Sequence, residues 1–184
     1  YKEKKNTRAA VAIAAGLTPL ADMLERAELE LDAFEKRAQS FVNDKVSSIK
    51  EAIAGAQDII AERYSDDAKE REYWRGQLHD YSSFEIKASK SLNADGLYAK
   101  LAGKSERIAS IPSHRYLAMM RGVAEKELSV KIAYDMERVQ SSIERYRIPR
   151  SAKSSKSYLL EAYLDGFKRL LFPSLEREIH GAVK

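Results

Sequence analysis

The feature that most limits the fold is the stretch from Ser47 to Tyr64, where Ile49, Ala52, Ile53, Ala56 and Ile60 recur at spacings of three and four. That period places them on one narrow stripe of an α-helix, with Ser47 or Ser48 as its N-cap. Ala52 and Ala56, with Gly55 beside them, are small enough to let a second helix come close. Glycine inside a helix costs about 1 kcal/mol relative to alanine, and tight packing is the natural compensation. Such a helix needs neighbours, and the rest of the chain supplies them.

Thr7 to Ala15 is alanine-rich and stops at Gly16, as a helix with a left-handed terminus would. Thr18 is expected to cap the next helix, with Pro19 in the first turn and Leu20, Met23, Leu24 and Ala27 on one side. A third covers about 30–42 and buries Leu31, Phe34, Ala38 and Phe41. Ser65 is expected to cap a helix from Asp66 to about His79, whose early acids suit the positive end of the helix dipole. A helix over Met136 to Arg147 places Val139, Ile143 and Tyr146 on one face and ends at Pro149. The last long helix buries Leu160, Tyr163, Leu164, Phe167, Leu170 and Leu171; Pro173 is predicted to break it and Ser174 to restart it.

Two segments depart from the helical period. Phe84, Ile86 and Ala88 alternate within 83–89, and Leu128, Val130 and Ile132 alternate with Ser129 and Lys131 within 128–133. Whether they pair stays open, because a lone two-stranded ribbon is marginal without something to pack on. The expected fold is therefore mainly α: a multi-helix, bundle-like scaffold with at most a short two-stranded β ribbon. A length of 184 residues allows one good core, with a subdivision near 82–110 as an option. The stretch 150–157, basic residues interleaved with serine, is the linker candidate.

Hydrophobic residues make up 44% and charged residues 33%, the balance of a soluble globular domain. There is no cysteine for disulfides or thiolate metal sites, and no apolar run long enough to span a bilayer. A cytoplasmic location is expected, with no membrane partner. The chain begins at Tyr1 without an initiator methionine, which reads as a piece of a longer protein. Its net charge of +4 is mild, but its distribution is uneven. Between 22 and 35, Asp22, Glu25, Glu28, Glu30, Asp32 and Glu35 face only Arg26. Between 145 and 156, Arg145, Arg147, Arg150, Lys153 and Lys156 face no acid, and Lys2, Lys4, Lys5 and Arg8 outnumber Glu3 near the start. Contacts with a polyanion would come from these basic stretches.

The run Ile111 to Gly122 condenses a helix start, a basic cluster and a helix stop. Pro112 suits the first positions, Ser113 the cap and Gly122 a left-handed end. Leu117 and Met120 are expected in the core, leaving His114, Arg115 and Arg121 at the rim, where they can reach phosphate or pair locally. Tyr116 beside Arg115, and Tyr146 between Arg145 and Arg147, could stack on bases, although core packing of each ring is the favoured reading.

These residues also carry a resemblance. Ser113-His114-Arg115-x-Leu117-Ala118-x-x-Arg121-Gly122 is one of four blocks that occur in order. The others are Tyr1-Lys2-x-Lys4-Lys5-x-Thr7-Arg8-Ala9 with Gly16-Leu17-x-Pro19-Leu20-Ala21, then Gly55-Ala56-x-Asp58-Ile59-Ile60-Ala61-Glu62, then Arg169-Leu170-Leu171-x-Pro173-Ser174-x-Glu176-Arg177-Glu178-Ile179. Together they resemble the central region of the Tex family of bacterial transcription accessory proteins. The chain departs from that pattern at Glu3, Asn6, Gln57 and Val123, and the first three of these lower the positive charge. The resemblance implies that 1–184 is the central helical region of a longer protein, in which an RNase H-like domain and then helix-hairpin-helix and OB-fold modules follow. It also implies a role in transcription and RNA or DNA binding by the whole protein.

Catalytic chemistry finds little support. His79, His114 and His180 are widely separated, and no pair has the spacing of helical metal ligands. Gly103-Lys104-Ser105 ends like a phosphate-binding loop, but Tyr98 stands where that loop needs glycine. The expectation is a helical scaffold that is not an enzyme and takes no cofactor or metal. It would position nucleic-acid-binding modules, and His114, Arg115, Arg121, Lys4, Lys5 and Arg8 would contact backbone phosphates. The alternative is a protein-docking module of the transcription machinery, acting through the acidic stretch at 22–35. Oligomeric state is not legible.

Overall fold

The structure, a computed structural model, describes residues 7–183. It is mainly α-helical with one small antiparallel sheet. In chain order the elements are α1 (Arg8–Ala14), α2 (Thr18–Arg26), α3 (Leu31–Gln39), α4 (Ile49–Asp66), α5 (Ala68–Tyr81), β1 (Ser83–Ala88), β2 (Ser105–Arg107), α6 (Ser113–Ala124), β3 (Leu128–Ala133), α7 (Met136–Tyr146), α8 (Lys156–Asp165), a π-helical segment (Gly166–Leu171) and α9 (Phe172–Val183). Two compact units result, unit 1 drawn from Tyr1–Glu70 and Glu137–Pro173, unit 2 from Arg71–Met136 and Ser174–Lys184. The expected subdivision near 82–110 falls inside unit 2.

Unit 1 is built around α4, against which α1, α2, α3, α8 and the π-helical segment all pack. Its predicted stripe is buried at Ala52, Ile53, Ala56 and Ile60, and burial extends to Ile59, Ala61 and Tyr64. The close approach expected at Gly55 is present: a β-carbon there would collide with the Leu17 Cδ1 and lie 3.3 Å from the Ala12 Cβ. Ser48 caps the helix by accepting from the Glu51 amide at 3.2 Å. Glu51 in turn accepts from the Ser47 amide and hydroxyl at 2.8 and 2.7 Å, and these bonds hold its carboxyl below the usual range.

Several helix ends differ from expectation for local reasons. Thr18 is the first residue of α2, and Leu17 takes the cap position because its backbone is already near-helical as it leaves the left-handed Gly16. Ser65 is buried inside α4, donating to the Glu62 carbonyl at 2.9 Å, and Asp67 caps α5 through the Lys69 amide at 2.9 Å. Pro173 does not break the last helix. The wider π-helical turns stand directly before it, with the Phe172 amide reaching the Phe167 carbonyl, so the ladder is already shifted where proline lacks a donor.

The stretch 150–157 is tied down, which corrects its reading as a linker. The Lys153 amide donates to the Ala27 carbonyl at 2.8 Å, and the buried Ser155 donates through its hydroxyl to the Leu29 carbonyl at 2.5 Å. Val139 and Ile143 of α7 are buried as expected, but Tyr146 is 65% exposed.

Unit 2 holds the sheet, in the order β2-β1-β3. The two alternating segments do pair, antiparallel, with Phe84 opposite Ile132 and Ala88 opposite Leu128. A third strand corrects the expected two-stranded limit: Ser105–Arg107 pairs with Ser83–Glu85 on the other side of β1. Three residues are too few to show an alternating pattern. Gly103 and Lys104 lead into that strand, the Gly103 amide donating to the Ile86 carbonyl at 2.8 Å and the Lys104 carbonyl accepting from the Ile86 amide at 3.0 Å. Phe84, Ile86, Leu128 and Ile132 are buried, and α6 packs on β3, which supplies the support a bare ribbon lacks. Among the described residues, no helix is long and apolar enough to cross a membrane.

Candidate nucleic-acid interface

Helix α6 starts close to where the sequence predicts, but Pro112, in an extended conformation, holds the N-cap position and Ser113 is the first helical residue, so the cap expected from Ser113 is not made. Its inner face differs from the prediction. Tyr116, Met119 and Gly122 are buried, while Leu117 is 50% exposed and Met120 is half-buried. The cause is Gly122, which packs instead of stopping the helix: a β-carbon on it would lie 2.5 Å from the Leu128 Cδ1 of β3 and 3.1 Å from the Tyr98 Cδ1. The helix runs on to Ala124, and the chain turns at Lys126, whose φ is +64°. Tyr116 is fixed by its hydroxyl, 2.7 Å from the His180 Nδ1, and by the Phe84 ring.

With that side buried, His114, Leu117 and Arg121 recur at three and four residues along the opposite side, and all three are exposed. Arg115 also reaches solvent, but its guanidinium bonds the Glu106 carboxylate of β2 at 2.5 Å. That pair ties α6 to the sheet and uses part of the arginine's charge. Among the described residues, no ion pair holds His114 or Arg121. Glu125, which accepts a short bond from the Tyr98 hydroxyl, bounds this surface on its C-terminal side; that bond raises the Tyr98 pKa and Arg121 opposes the rise.

Arg8 belongs to unit 1, and the α6 residues belong to unit 2. It lines a cleft of about 430 Å³ with Gln57, Asp58, Glu161, Asp165 and Lys168. Burial raises the Asp58 pKa, and Arg169, at 3.7 Å, and then Arg8 pull it back. Arg8 thus shares its cleft with acids of its own unit, Asp58 among them. Lys4 and Lys5 lie outside the described residues.

The acidic stretch at 22–35 is largely engaged internally. Arg63 bonds both Asp22, at 2.9 Å, and Glu25; Arg26 faces Glu28 at 3.4 Å, Ser154 donates to Glu30, and the Tyr158 hydroxyl donates to Glu35 at 3.3 Å. In the basic stretch, Arg147 turns inward over the Tyr64 and Tyr163 rings, while Arg145, Tyr146, Arg150 and Lys153 are exposed. Sequence reasoning missed the outer face of the sheet. It carries Lys87, Arg107 and Lys131 against Glu85, the last two paired at 3.6 Å. The residues of β3 alternate legibly, but only the pairing register brings Arg107 beside them.

Residues 31–184 match the model of the Tex central region-like family. The chain belongs to the Tex family. It is 34% identical over 183 residues to the uncharacterized protein YdcI of Bacillus subtilis (strain 168), covering 97% of this chain and 25% of YdcI. It is 30% identical over 190 residues to the transcriptional accessory protein Tex of Neisseria gonorrhoeae, covering 100% of this chain and 25% of that protein. With protein tex of Bordetella pertussis (strain Tohama I / ATCC BAA-589 / NCTC 13251) it shares 33% identity over 140 residues, 74% of this chain and 17% of the other. The chain therefore spans about a quarter of the length of the first two of these relatives. Within unit 1, Gly55 presses on Leu17 and Asp58 pairs with Arg169, which joins residues from three of the blocks. The His114 block lies in unit 2.

Proposed function

We propose that this chain is the helical frame of a bacterial Tex-family protein acting in transcription in the cytoplasm, and that α6 meets the phosphate backbone of RNA or DNA. The observation that carries this reading is the solvent face of α6, where His114 and Arg121 stand on either side of an exposed Leu117. Such contacts would orient the nucleic acid without reading its sequence. Arg121 leads because Glu106 already holds Arg115. Lys4, Lys5 and Arg8 form a second group, with Arg8 the weaker for its position beside Asp58. The chain is a frame and not an enzyme in this reading, and RNA or DNA is the partner of the whole protein. A docking role for the 22–35 stretch ranks lower because its acids are bonded within unit 1.

The test is a salt titration of single-stranded RNA binding by the 184-residue chain. Affinity is expected to fall log-linearly with salt, and Arg115→Glu with Arg121→Glu should flatten the slope by roughly 0.7 for each phosphate that is no longer neutralised. Unchanged affinity and slope after both reversals would refute the α6 assignment.

A further inference from the structure

The basic run 145–156 holds a second surface, in unit 1. Sequence periodicity places Tyr146 in the core, but the structure turns it out at the end of α7, 65% exposed, with the Arg145 guanidinium 5.4 Å from the centre of its ring. Arg147 explains the outward turn. Its guanidinium is drawn inward over both the Tyr64 and Tyr163 rings, at 5.5 and 5.2 Å, and towards Asp67 and Glu70 at 3.4 and 3.6 Å. One residue earlier on the helix is about 100° away around the axis, which carries Tyr146 to the solvent side.

Arg150 and Lys153 follow on an exposed turn. Arg150 is four residues from Tyr146, within about 14 Å of chain reach. A single exposed ring needs no explanation. An exposed ring flanked by cations, in a run without acids, has what a single strand requires: a π face for a base and positive charge for the phosphates on either side. A duplex could use the charges but would offer no unstacked base. Glu30, which accepts from Ser154 at 3.2 Å, sets an acidic border beyond Lys153.

We propose that Tyr146 stacks on a base of single-stranded RNA or DNA whose neighbouring phosphates lie against Arg145, Arg150 and Lys153. The inference rests on the reading that the protein meets nucleic acid, but it concerns different residues in a different unit. The contact is independent of sequence, since every base has a face to stack.

The test is fluorescence anisotropy of the 184-residue chain with a labelled oligouridine of about twelve nucleotides, within the site sizes such surfaces cover. An abasic strand of the same length serves for comparison. Tyr146→Ala should weaken oligouridine binding about ten-fold without changing the salt slope, and the abasic strand should bind both proteins equally weakly. Tyr146→Trp should retain affinity, with its indole fluorescence quenched on binding. Arg145→Glu with Arg150→Glu should flatten the slope. Circular dichroism checks the fold of each variant, which an exposed side chain should leave intact. Equal binding of oligouridine by Tyr146→Ala and the parent, or of the abasic strand and oligouridine by the parent, overturns the proposal. If only the α6 reversals matter, this site falls and the α6 site stands. Should only the Tyr146 variants matter, the converse holds, and absence of binding by the parent overturns both.

Discussion

Gly166 lies so close to Ala61 that a β-carbon on it would sit 2.8 Å from the Ala61 carbonyl oxygen and 3.0 Å from the Ala61 α-carbon. Both atoms are backbone of α4, so neither can move without shifting the helix on which unit 1 is built. Gly166→Ala should therefore destabilise the protein by about 2–3 kcal/mol, as overpacking does. Gly122→Ala should cost less, because the nearest atom is the Leu128 Cδ1, the end of a flexible side chain. Gly76→Ala, in α5 with nothing within 4 Å, should stabilise by about 0.5–1 kcal/mol. Urea denaturation of the three variants checks the order, and a neutral Gly166→Ala would contradict the close approach.

Arg147 joins α7 to α4 and α8. Replacing it with alanine removes two cation–π contacts and two carboxylate partners from a half-buried position. The expected destabilisation is about 2 kcal/mol, and Arg147→Lys should recover part of it because a compact ammonium cannot span both rings and both acids. Thermal melts of the two variants decide this; equal midpoints for arginine, lysine and alanine would show that the cluster contributes nothing.

How far the sequence reveals the fold depends on where each signal resides. Ile49 to Tyr64 is legible because a single helix face carries its own period, and Gly55 beside Ala52 and Ala56 announces the close packing of Leu17. Phe84 and Ile132 are legible as strand residues one by one. Arg107 is not, since three residues have no period and their place depends on hydrogen bonds to a distant segment. On α6, His114 and Arg121 are readable as exposed, but the buried face lies one residue away from the one the sequence suggests, because Gly122 packs against Leu128 where a stop is expected. Tyr146 departs from its expected place for a similar reason: spacing alone cannot show that Arg147 wins the inward position through Tyr64, Tyr163 and two acids.

Two carboxyl groups should respond to acid in opposite senses. Burial raises the Asp58 pKa above its ordinary 3.8, with Arg169 and Arg8 opposing. A raised value in the fold gives stability that is full below the ordinary pKa and lost as pH rises through the raised one. Glu178 is the reverse: its hydrogen bond from Arg75 lowers the pKa from 4.5, so its contribution is present above that value and lost as pH falls through the lowered one. Asp58→Asn should thus be at least as stable as the parent near neutrality, with the parent gaining on it in acid. Glu178→Gln should be less stable near neutrality by about 0.5 kcal/mol, discounted because the carboxylate is 41% exposed, with the gap closing in acid. Denaturation midpoints across pH would show both trends, and parallel curves for the two variants would refute the assignment of opposite shifts.

Ser154 acts as a cap for a helix far from it in the chain. Helix α3 starts after Glu30, whose side chain makes no capping bond to it; the Leu31 amide instead donates to the Ser154 hydroxyl oxygen at 2.7 Å. The Glu30 carboxylate turns the other way and accepts from the Ser154 amide at 3.2 Å, so cap and carboxylate exchange bonds across 123 or more residues of chain. An exposed helix start deprived of its cap is weakened by about 1 kcal/mol. Ser154→Ala should lower stability by that amount and, more specifically, speed hydrogen exchange at the Leu31 amide while leaving amides in the middle of α4 at the rate set by global unfolding. Ser157→Ala, whose hydroxyl reaches only the Ser154 carbonyl at 3.3 Å, should leave the Leu31 amide unchanged. Equal exchange at Leu31 in both variants would mean that α3 starts without help from the 150–157 stretch, and that the stretch is held by Ser155 and Lys153 alone.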